Sequence, residues 1–166
     1  RVNLRIPQWT NSIEVQVNGN TVVEDSEDYV TLEKEWSGDD IELQFEQSIT
    51  QVQAHPAVDT NACRTAFTRG PLVYAAEGVD HERPLHQHSV VSNGDWTAKH
   101  QEELLDGVST LDIESQVPDL SSWEGDLYLP YSESEITKSH LHLVPYYTWD
   151  NRAPGEMRVW HRTKES

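Results

Sequence analysis

Two pairs of histidines stand one residue apart in the sequence, His86 with His88 and His140 with His142. In an extended segment, residues i and i+2 point to the same face, so each pair presents two imidazoles together. Two imidazoles at this spacing can chelate zinc or copper, but a site needs further ligands. The sequence fixes no third ligand, and exposed histidines on a polar face or loop have the same pattern. We therefore predict no metal site in this chain.

Acidic side chains and one cysteine are the other candidates for catalysis. A glycosidase needs two positioned carboxyl groups, yet 29 acidic residues make any pair easy to propose. Only Glu77, which follows an apolar run, has a distinctive setting, and solvated surface acids explain the rest. Cys63 has no base beside it in "NACRTAF" and is typical of a buried strand cysteine. The sequence contains no phosphate-binding glycine loop and no Gly-x-Ser-x-Gly motif, so we predict no catalytic residues.

Large aromatic residues are concentrated in "LVPYYTWDNRAPGEMRVW", Leu143 to Trp160. Exposed aromatic rings can stack on sugars or contact a neighbouring domain, which makes this segment a candidate binding surface. Its candidate residues for carbohydrate or domain contact are Tyr146, Tyr147, Trp149 and Arg152. Composition favours a second interpretation, in which the rings fill a core and the segment is a structural closing hairpin of the second sandwich. That alternative predicts that Tyr146 and Trp149 are buried and that Trp160 is more exposed.

The charge balance excludes two classes of partner. Acidic residues number 29 and lysines plus arginines 12, which gives a net charge of −17. Such a surface repels nucleic acid and anionic membranes, and no run of 18 apolar residues could span a bilayer. Acidic surfaces suit a high-salt cytoplasm, where ions screen the repulsion, although an acidic mesophile protein has the same composition. Because the chain begins "RVNLRI" without Met, we expect a fragment, and the localisation is left open with a cytoplasmic location favoured.

Strand patterns dominate the sequence. "IEVQVNGNTVV" alternates apolar and polar residues and turns at Asn18-Gly19, a strong hairpin signal. Similar alternation recurs to the end of the chain, while the stretch from Asp95 to Gly107 has the signals of a short helix. We predict an all-β fold of two antiparallel, jelly-roll-like β-sandwich domains with at most one short helix. Residues 1–80 are predicted to form the first sandwich, truncated at its N-terminus, and residues 81–166 the second.

Five segments together resemble the C-terminal region of glycoside hydrolase family 127, the β-L-arabinofuranosidase-like enzymes. The most specific are the run from Arg69 to Gly78, "RGPLVYAAEG", and the run from Val144 to Trp160. The resemblance covers nearly the whole chain, and the segments, in chain order, are "LRIPQW", "VNG", "RGPLVYAAEG", "LLDGV" and "VPYYTWDNRAPGEMRVW".

This resemblance implies a large N-terminal (α/α)6 barrel followed by two β-sandwich domains. It places the active site in the barrel, with a cysteine nucleophile, a glutamate acid/base and a zinc held by a glutamate and several cysteines. Cys63 does not lie in such a cysteine motif, so no catalytic residue and no cofactor carries over to this chain. The resemblance implies a non-catalytic portion that contacts its own catalytic barrel or forms a homodimer. A carbohydrate-binding module and a pure oligomerisation domain remain alternatives.

Overall fold

The computed structural model of the chain describes residues 1–24, 28–130 and 135–164. Within these ranges the protein is built from β-strands and single turns of 3₁₀ helix, without an α-helix. None of the helices in these ranges is long and apolar enough to cross a membrane. The strands are β1 Val2–Arg5, β2 Ile13–Val17, β3 Asn20–Glu24, β4 Tyr29–Leu32, β5 Ile41–Phe45, β6 Ile49–Gln53, β7 Arg64–Arg69, β8 Leu72–Glu77, β9 Ser89–Val91, β10 Trp96–Gln101, β11 Val108–Pro118, β12 Ile136–Pro145, β13 Met157–Arg158 and β14 His161–Lys164. The 3₁₀ turns are Asp59–Asn61, Gly78–Asp80, Leu85–Gln87, Ser121–Trp123 and Tyr146–Thr148. The prediction of an all-β chain is therefore confirmed.

The chain divides into two units. The first unit comprises residues 1–48 with 69–71, and the second comprises 49–68 with 72–166. The sequence pattern had instead indicated a boundary after residue 80. The division lies earlier because β7 and β8 pair with strands from the far end of the chain, β14 and β12 respectively. Long-range pairing of this kind leaves no local signal in the sequence.

The first unit consists of two small antiparallel sheets that share one core. Strands β1 and β4 form one sheet, and the other has the order β3-β2-β5. Their buried apolar side chains form a single cluster that contains Ile6, Ile13, Val15 and Val30. The hairpin predicted at Asn18-Gly19 is confirmed, because both residues have positive φ (51° and 75°), as a type I′ turn requires.

The second unit contains a sheet that closes on itself. Its strands follow the order β13-β8-β12-β11-β9-β14-β7-β6, and β7 also pairs with β8. Six strands, β7, β8, β12, β11, β9 and β14, therefore form a closed ring, whereas the sequence pattern predicted a second sandwich. Closure depends on β14, which pairs antiparallel with β7 and parallel with β9. A cluster of buried side chains forms the core of this unit and includes Phe67, Tyr74, Ala76, Leu85, Val90, Leu111, Ile113, Leu141 and Leu143.

The prediction of a helix between Asp95 and Gly107 is wrong. Residues 96–101 form β10, which pairs antiparallel with β11 over its whole length. The Trp96 ring packs edge-on against Phe67 at a centroid distance of 5.2 Å, and this contact orients the strand. Leu105 and Asp106 have positive φ, which is incompatible with a right-handed helix. Cross-strand pairing and aromatic packing thus override the weak helical signals of this stretch.

Candidate functional site

The structure places the two histidine pairs in different settings. His86 is exposed and His88 is buried, so the first pair does not share one accessible face. His140 and His142 both approach Asp112, with Nδ1 to carboxylate distances of 3.8 and 3.6 Å. Among the residues that the structure describes, no group of three or more His, Cys, Asp or Glu side chains could hold a metal ion.

The Cys63 thiol is exposed, so the prediction of a buried strand cysteine is wrong. Cys63 immediately precedes β7 and has a φ of 55°, in the left-handed region that non-glycine residues rarely adopt. Its carbonyl accepts a hydrogen bond from the Thr163 amide at 3.0 Å, which fixes the turn against β14. The cysteine therefore marks a constrained turn on the surface of the second unit.

The aromatic segment starts from a 3₁₀ turn at Tyr146–Thr148, directly after β12. Thr148 is buried, and its hydroxyl donates to the Pro145 carbonyl at 2.7 Å. The Asn151 side-chain amide donates to the carbonyls of Thr148 and Trp149, at 3.0 and 3.2 Å. These local hydrogen bonds fix the backbone of the turn, and β13 then pairs with β8. The segment is thus a tightly bonded turn and not the closing hairpin that was predicted.

The large side chains of this turn point toward solvent. Tyr146, Tyr147 and Trp149 are 45%, 65% and 39% exposed, so the prediction that Tyr146 and Trp149 are buried is wrong. The rings of Tyr146 and Trp149 stack on each other at 6.2 Å with an interplanar angle of 23°. Trp160, predicted to be the more exposed residue, is partly buried. We call Tyr146, Tyr147 and Trp149 the aromatic surface.

A largely buried ionic cluster joins Arg152, which follows this turn, to Glu77 at the end of β8 and to Asp80 in the next 3₁₀ turn. The Arg152 guanidinium donates to Glu77 Oε2 from Nε at 3.1 Å, and Nη2 also contacts this oxygen. It donates to the two Asp80 oxygens from Nη1 and Nη2, at 2.7 and 2.6 Å. The side chains of Arg152, Glu77 and Asp80 are only 17%, 5% and 18% exposed. The hydrogen bond to Asp80, with a further one to Glu77, raises the pKa of the Arg152 guanidinium, which stays charged.

Glu77 and Glu156 connect this cluster to the backbone. The second oxygen of Glu77, Oε1, accepts the Asp150 amide at 3.2 Å. Glu156 accepts the Gly78 amide with its carbonyl at 2.8 Å and the Leu85 amide with its carboxylate at 2.7 Å. Both carboxylate oxygens of Glu77 are therefore engaged in hydrogen bonds within the second unit. Sequence reasoning singled out Glu77 and Arg152 but missed Asp80 and Glu156, because more than 70 residues separate the partners.

Exposure of the aromatic surface leads to a stability prediction. Because Tyr146 and Trp149 retain much of their contact with water, we expect Tyr146→Ala and Trp149→Ala each to lower the free energy of unfolding by about 1 kcal/mol or less. Tyr74→Ala serves as the control, since Tyr74 is fully buried and its truncation is expected to cost about 3–5 kcal/mol. Urea unfolding measures all three variants. Equal losses for Trp149→Ala and Tyr74→Ala would contradict the exposed arrangement.

Comparison with protein-family models matches both units. The model described as "Glycoside hydrolase family 127 C-terminal domain" matches residues 49–162. The model described as "Beta-L-arabinofuranosidase, GH127 middle domain" matches residues 1–47. The junction between the two matches coincides with the division of the structure near residue 48.

Known proteins resemble the chain over nearly its whole length. A "Non-reducing end beta-L-arabinofuranosidase" of Bifidobacterium longum subsp. longum is 36% identical over 98% of this chain. A crystal structure of a GH127 beta-L-arabinofuranosidase from Geobacillus stearothermophilus has a TM-score of 0.84 and 34% identity over 98% of the chain. A solved structure named "Glycoside hydrolase" has a TM-score of 0.80 and 28% identity over 97% of the chain. The chain spans about a quarter of the length of these proteins, 26%, 26% and 27% respectively.

Proposed function

The chain belongs to glycoside hydrolase family 127, and from this premise we propose that it is a non-catalytic portion of a glycoside hydrolase resembling β-L-arabinofuranosidase. In this proposal its role is to support a catalytic (α/α)6 barrel through the aromatic surface. Three large rings in contact with water are unfavourable unless a partner covers them or a ligand stacks on them. The exposure of the aromatic surface on a fixed turn is the observation that carries the proposal.

The residues of this chain do not match the catalytic site that the family resemblance implies. That site uses a cysteine nucleophile and a zinc held by several cysteines, whereas this sequence contains one cysteine. The described residues also contain no cluster of three metal-binding side chains. We therefore assign zinc and the catalytic residues to the barrel.

The isolated chain should not hydrolyse an aryl β-L-arabinofuranoside, with or without added zinc. Turnover that disappears in Cys63→Ser would overturn this assignment.

Binding to a catalytic domain in trans tests the supporting role. The part of the Bifidobacterium relative that this chain does not match can be expressed separately and mixed with the chain. We expect a complex in sedimentation velocity, and at least a tenfold loss of affinity in the double variant Tyr147→Ala with Trp149→Ala. Tyr29→Ala, which replaces an exposed tyrosine of the first unit, is the matched control. Binding that both variants leave unchanged would contradict docking through the aromatic surface.

A carbohydrate-binding module is the second candidate function. The nearly parallel stack of Tyr146 on Trp149 favours it, because a rigid pair of rings offers an apolar face for a sugar. Calorimetric titration of the chain with arabinan and with arabinose-capped oligosaccharides separates the candidates. Millimolar or tighter binding that is lost in Trp149→Ala would favour the binding module over the supporting role.

Self-association is a third candidate role for the same surface. A homodimer would cover the aromatic surface with a second copy of the chain and would need to bury about 1,000 Å² or more in total. Light scattering at high salt measures the molar mass of the chain. A dimeric mass that becomes monomeric in Tyr147→Ala with Trp149→Ala would favour this role, and a monomeric mass at every concentration would reject it.

The acidic composition leads to a prediction about salt. We propose a high-salt origin, because 17 uncompensated negative charges repel one another at low ionic strength. Raising KCl from 0.1 to 1 M shortens the screening length from about 10 to about 3 Å, so the melting temperature should rise across this range. Thermal unfolding followed by circular dichroism measures the change. A melting temperature that stays constant would instead favour an acidic mesophile protein.

A further inference from the structure

A cavity with a mixed polar and apolar wall opens in the second unit, beside the turn that contains Cys63. Its volume is about 530 Å³, within the range of small-molecule sites. Strand β6 contributes Gln51 and Gln53 to its wall, and the segment between β6 and β7 contributes His55, Asn61 and Cys63. The start of β7, together with single residues after β9 and in β14, completes the wall. The cavity is thus formed by the ring of strands and one connecting segment.

The charge of the cavity wall is opposite to that of the chain. With 29 acidic residues among 166, a wall of 13 residues would contain about two carboxylates by chance, yet this wall contains none. Its one fully charged side chain is Arg64. Among the described residues, the Arg64 side chain forms no ion pair, and its one hydrogen bond runs from Nη1 to the Trp160 carbonyl at 3.5 Å. Most guanidinium donors therefore have no protein partner in the described ranges, next to a wall that does not repel anions.

The remaining polar groups of the wall match hydroxyl groups. The side-chain amides of Gln51, Gln53 and Asn61 each offer a donor and an acceptor, as a sugar hydroxyl does. His55 Nδ1 accepts the Ala57 amide at 3.1 Å, which leaves Nε2 as the nitrogen that donates in the neutral ring. The wall therefore combines several neutral hydrogen-bonding groups with one guanidinium.

We propose that this cavity binds a sugar acid, a small polyhydroxylated molecule that carries a carboxylate. The Arg64 guanidinium pairs with the carboxylate through two parallel N–H···O bonds, the geometry that arginine offers to carboxylates. The amides of β6 and Asn61 bind the hydroxyls. This site is independent of the aromatic surface and of the role proposed for it, since none of the aromatic residues lines the cavity.

Three ligands test the two parts of this recognition separately. Glucuronate carries both the hydroxylated ring and the carboxylate. Glucose has a hydroxylated ring without the carboxylate, and acetate has the carboxylate without the ring. At constant ionic strength, calorimetric titration of the chain should show glucuronate binding at least about tenfold tighter than glucose or acetate. A further titration with an oligomer of uronic acids shows whether the cavity accepts the end of a sugar chain or only a free sugar acid. Glucuronate that binds no tighter than acetate would overturn the proposal.

Cys63 provides a second measurement, because it is the single thiol of the chain and lies in the cavity wall. Glucuronate should slow the reaction of Cys63 with a neutral pyridyl disulfide, whereas glucose and acetate at the same concentration should not. A reaction rate that glucuronate leaves unchanged while the titration shows binding would locate that binding elsewhere and overturn this site.

Variants of Arg64 complete the test. Arg64→Gln should reduce glucuronate affinity to that of glucose, and Arg64→Lys should retain part of it, because lysine keeps the charge but not the paired donors. Arg83→Gln is the matched control, since it removes one exposed positive charge away from the cavity. If Arg64→Gln does not fold by circular dichroism, Gln53→Ala replaces it, with an expected loss of several-fold. If the variant that is measured, Arg64→Gln or its replacement Gln53→Ala, binds glucuronate as tightly as the wild type does, the proposal is overturned.

Discussion

Replacement of Arg152 with methionine is expected to lower the free energy of unfolding by about 3–5 kcal/mol. Arg152 compensates Glu77 and Asp80, which are both largely buried. Methionine fills a similar volume but leaves two buried carboxylates without a positive partner. Urea unfolding at neutral pH, monitored by circular dichroism, measures the loss.

A matched control separates burial from charge. Lys138→Met also removes one positive charge from an ion pair, with Glu114 at 3.8 Å, but the Lys138 side chain is almost fully exposed. Pairs in solvent contribute little, so this control should change stability by less than about 1 kcal/mol. The double variant Arg152→Met with Glu77→Gln should cost less than the sum of the two single variants, because each loses the same contact. A loss in Arg152→Met as small as in Lys138→Met would contradict a structural role for the cluster.

Acidification is expected to unfold the second unit through two buried histidines. Burial, with smaller contributions from the charges of Arg158, His81, His88 and Arg64, lowers the pKa of His161 to about 3. Burial lowers the pKa of His88 to about 4, with a contribution from His81, while Glu156 opposes the change. Neither His161 nitrogen nor His88 Nε2 has a hydrogen-bond partner among the described residues. Protonation would therefore place a positive charge on largely buried rings, in which these nitrogens have no hydrogen-bond partner in the described ranges.

The direction of the pH effect on stability follows from the histidine pKa values in the folded and unfolded states. In the unfolded chain both histidines bind a proton near pH 6.5, whereas in the folded chain they stay neutral to about pH 4 and 3. Stability is therefore complete above about pH 6.5 and falls as the pH drops toward the folded values. Between pH 6 and 5 unfolding takes up nearly two protons, which corresponds to at most about 3 kcal/mol per pH unit. Urea unfolding at several pH values measures this slope.

Single substitutions show which histidines cause the pH dependence of the free energy of unfolding. His161→Leu and His88→Gln should each reduce proton uptake by about one, so that stability depends less steeply on pH. His86→Gln is the control, because His86 stands two residues from His88 but is exposed, and its slope should equal that of the wild type. The same slope in all four proteins would show that other groups control the acid response.

Much of the local structure could be predicted from the sequence. The Asn18-Gly19 turn needs positive φ at both residues, a requirement that the residue types reveal directly. The alternation of Ile13, Val15 and Val17 with polar residues also identified a half-buried strand, in which Ile13 and Val15 are buried. Such features depend on neighbours within a few residues, and that is why the pattern alone was sufficient.

Features that depend on distant residues were not predictable. The contact of Arg152 with Asp80 joins residues 72 positions apart, and no local pattern distinguishes Asp80 from the other 28 acidic residues. The exposure of Tyr146 and Trp149 depends on where the chain turns after β12, which composition does not reveal. The strand at Trp96–Gln101 is stabilised by its pairing with β11, so its local helical signals were misleading.

The closed ring of the second unit also determines when this unit can complete its folding during synthesis. The ribosome makes β14 last among the described strands, yet β14 is the strand that joins β7 to β9. Until it emerges, β9 and β7 have unpaired edges that can join strands of other nascent chains. Pairings that span about 100 residues also form slowly, because a long loop must close first. Cells that produce this protein should therefore depend on chaperones that protect exposed strands until translation reaches Lys164.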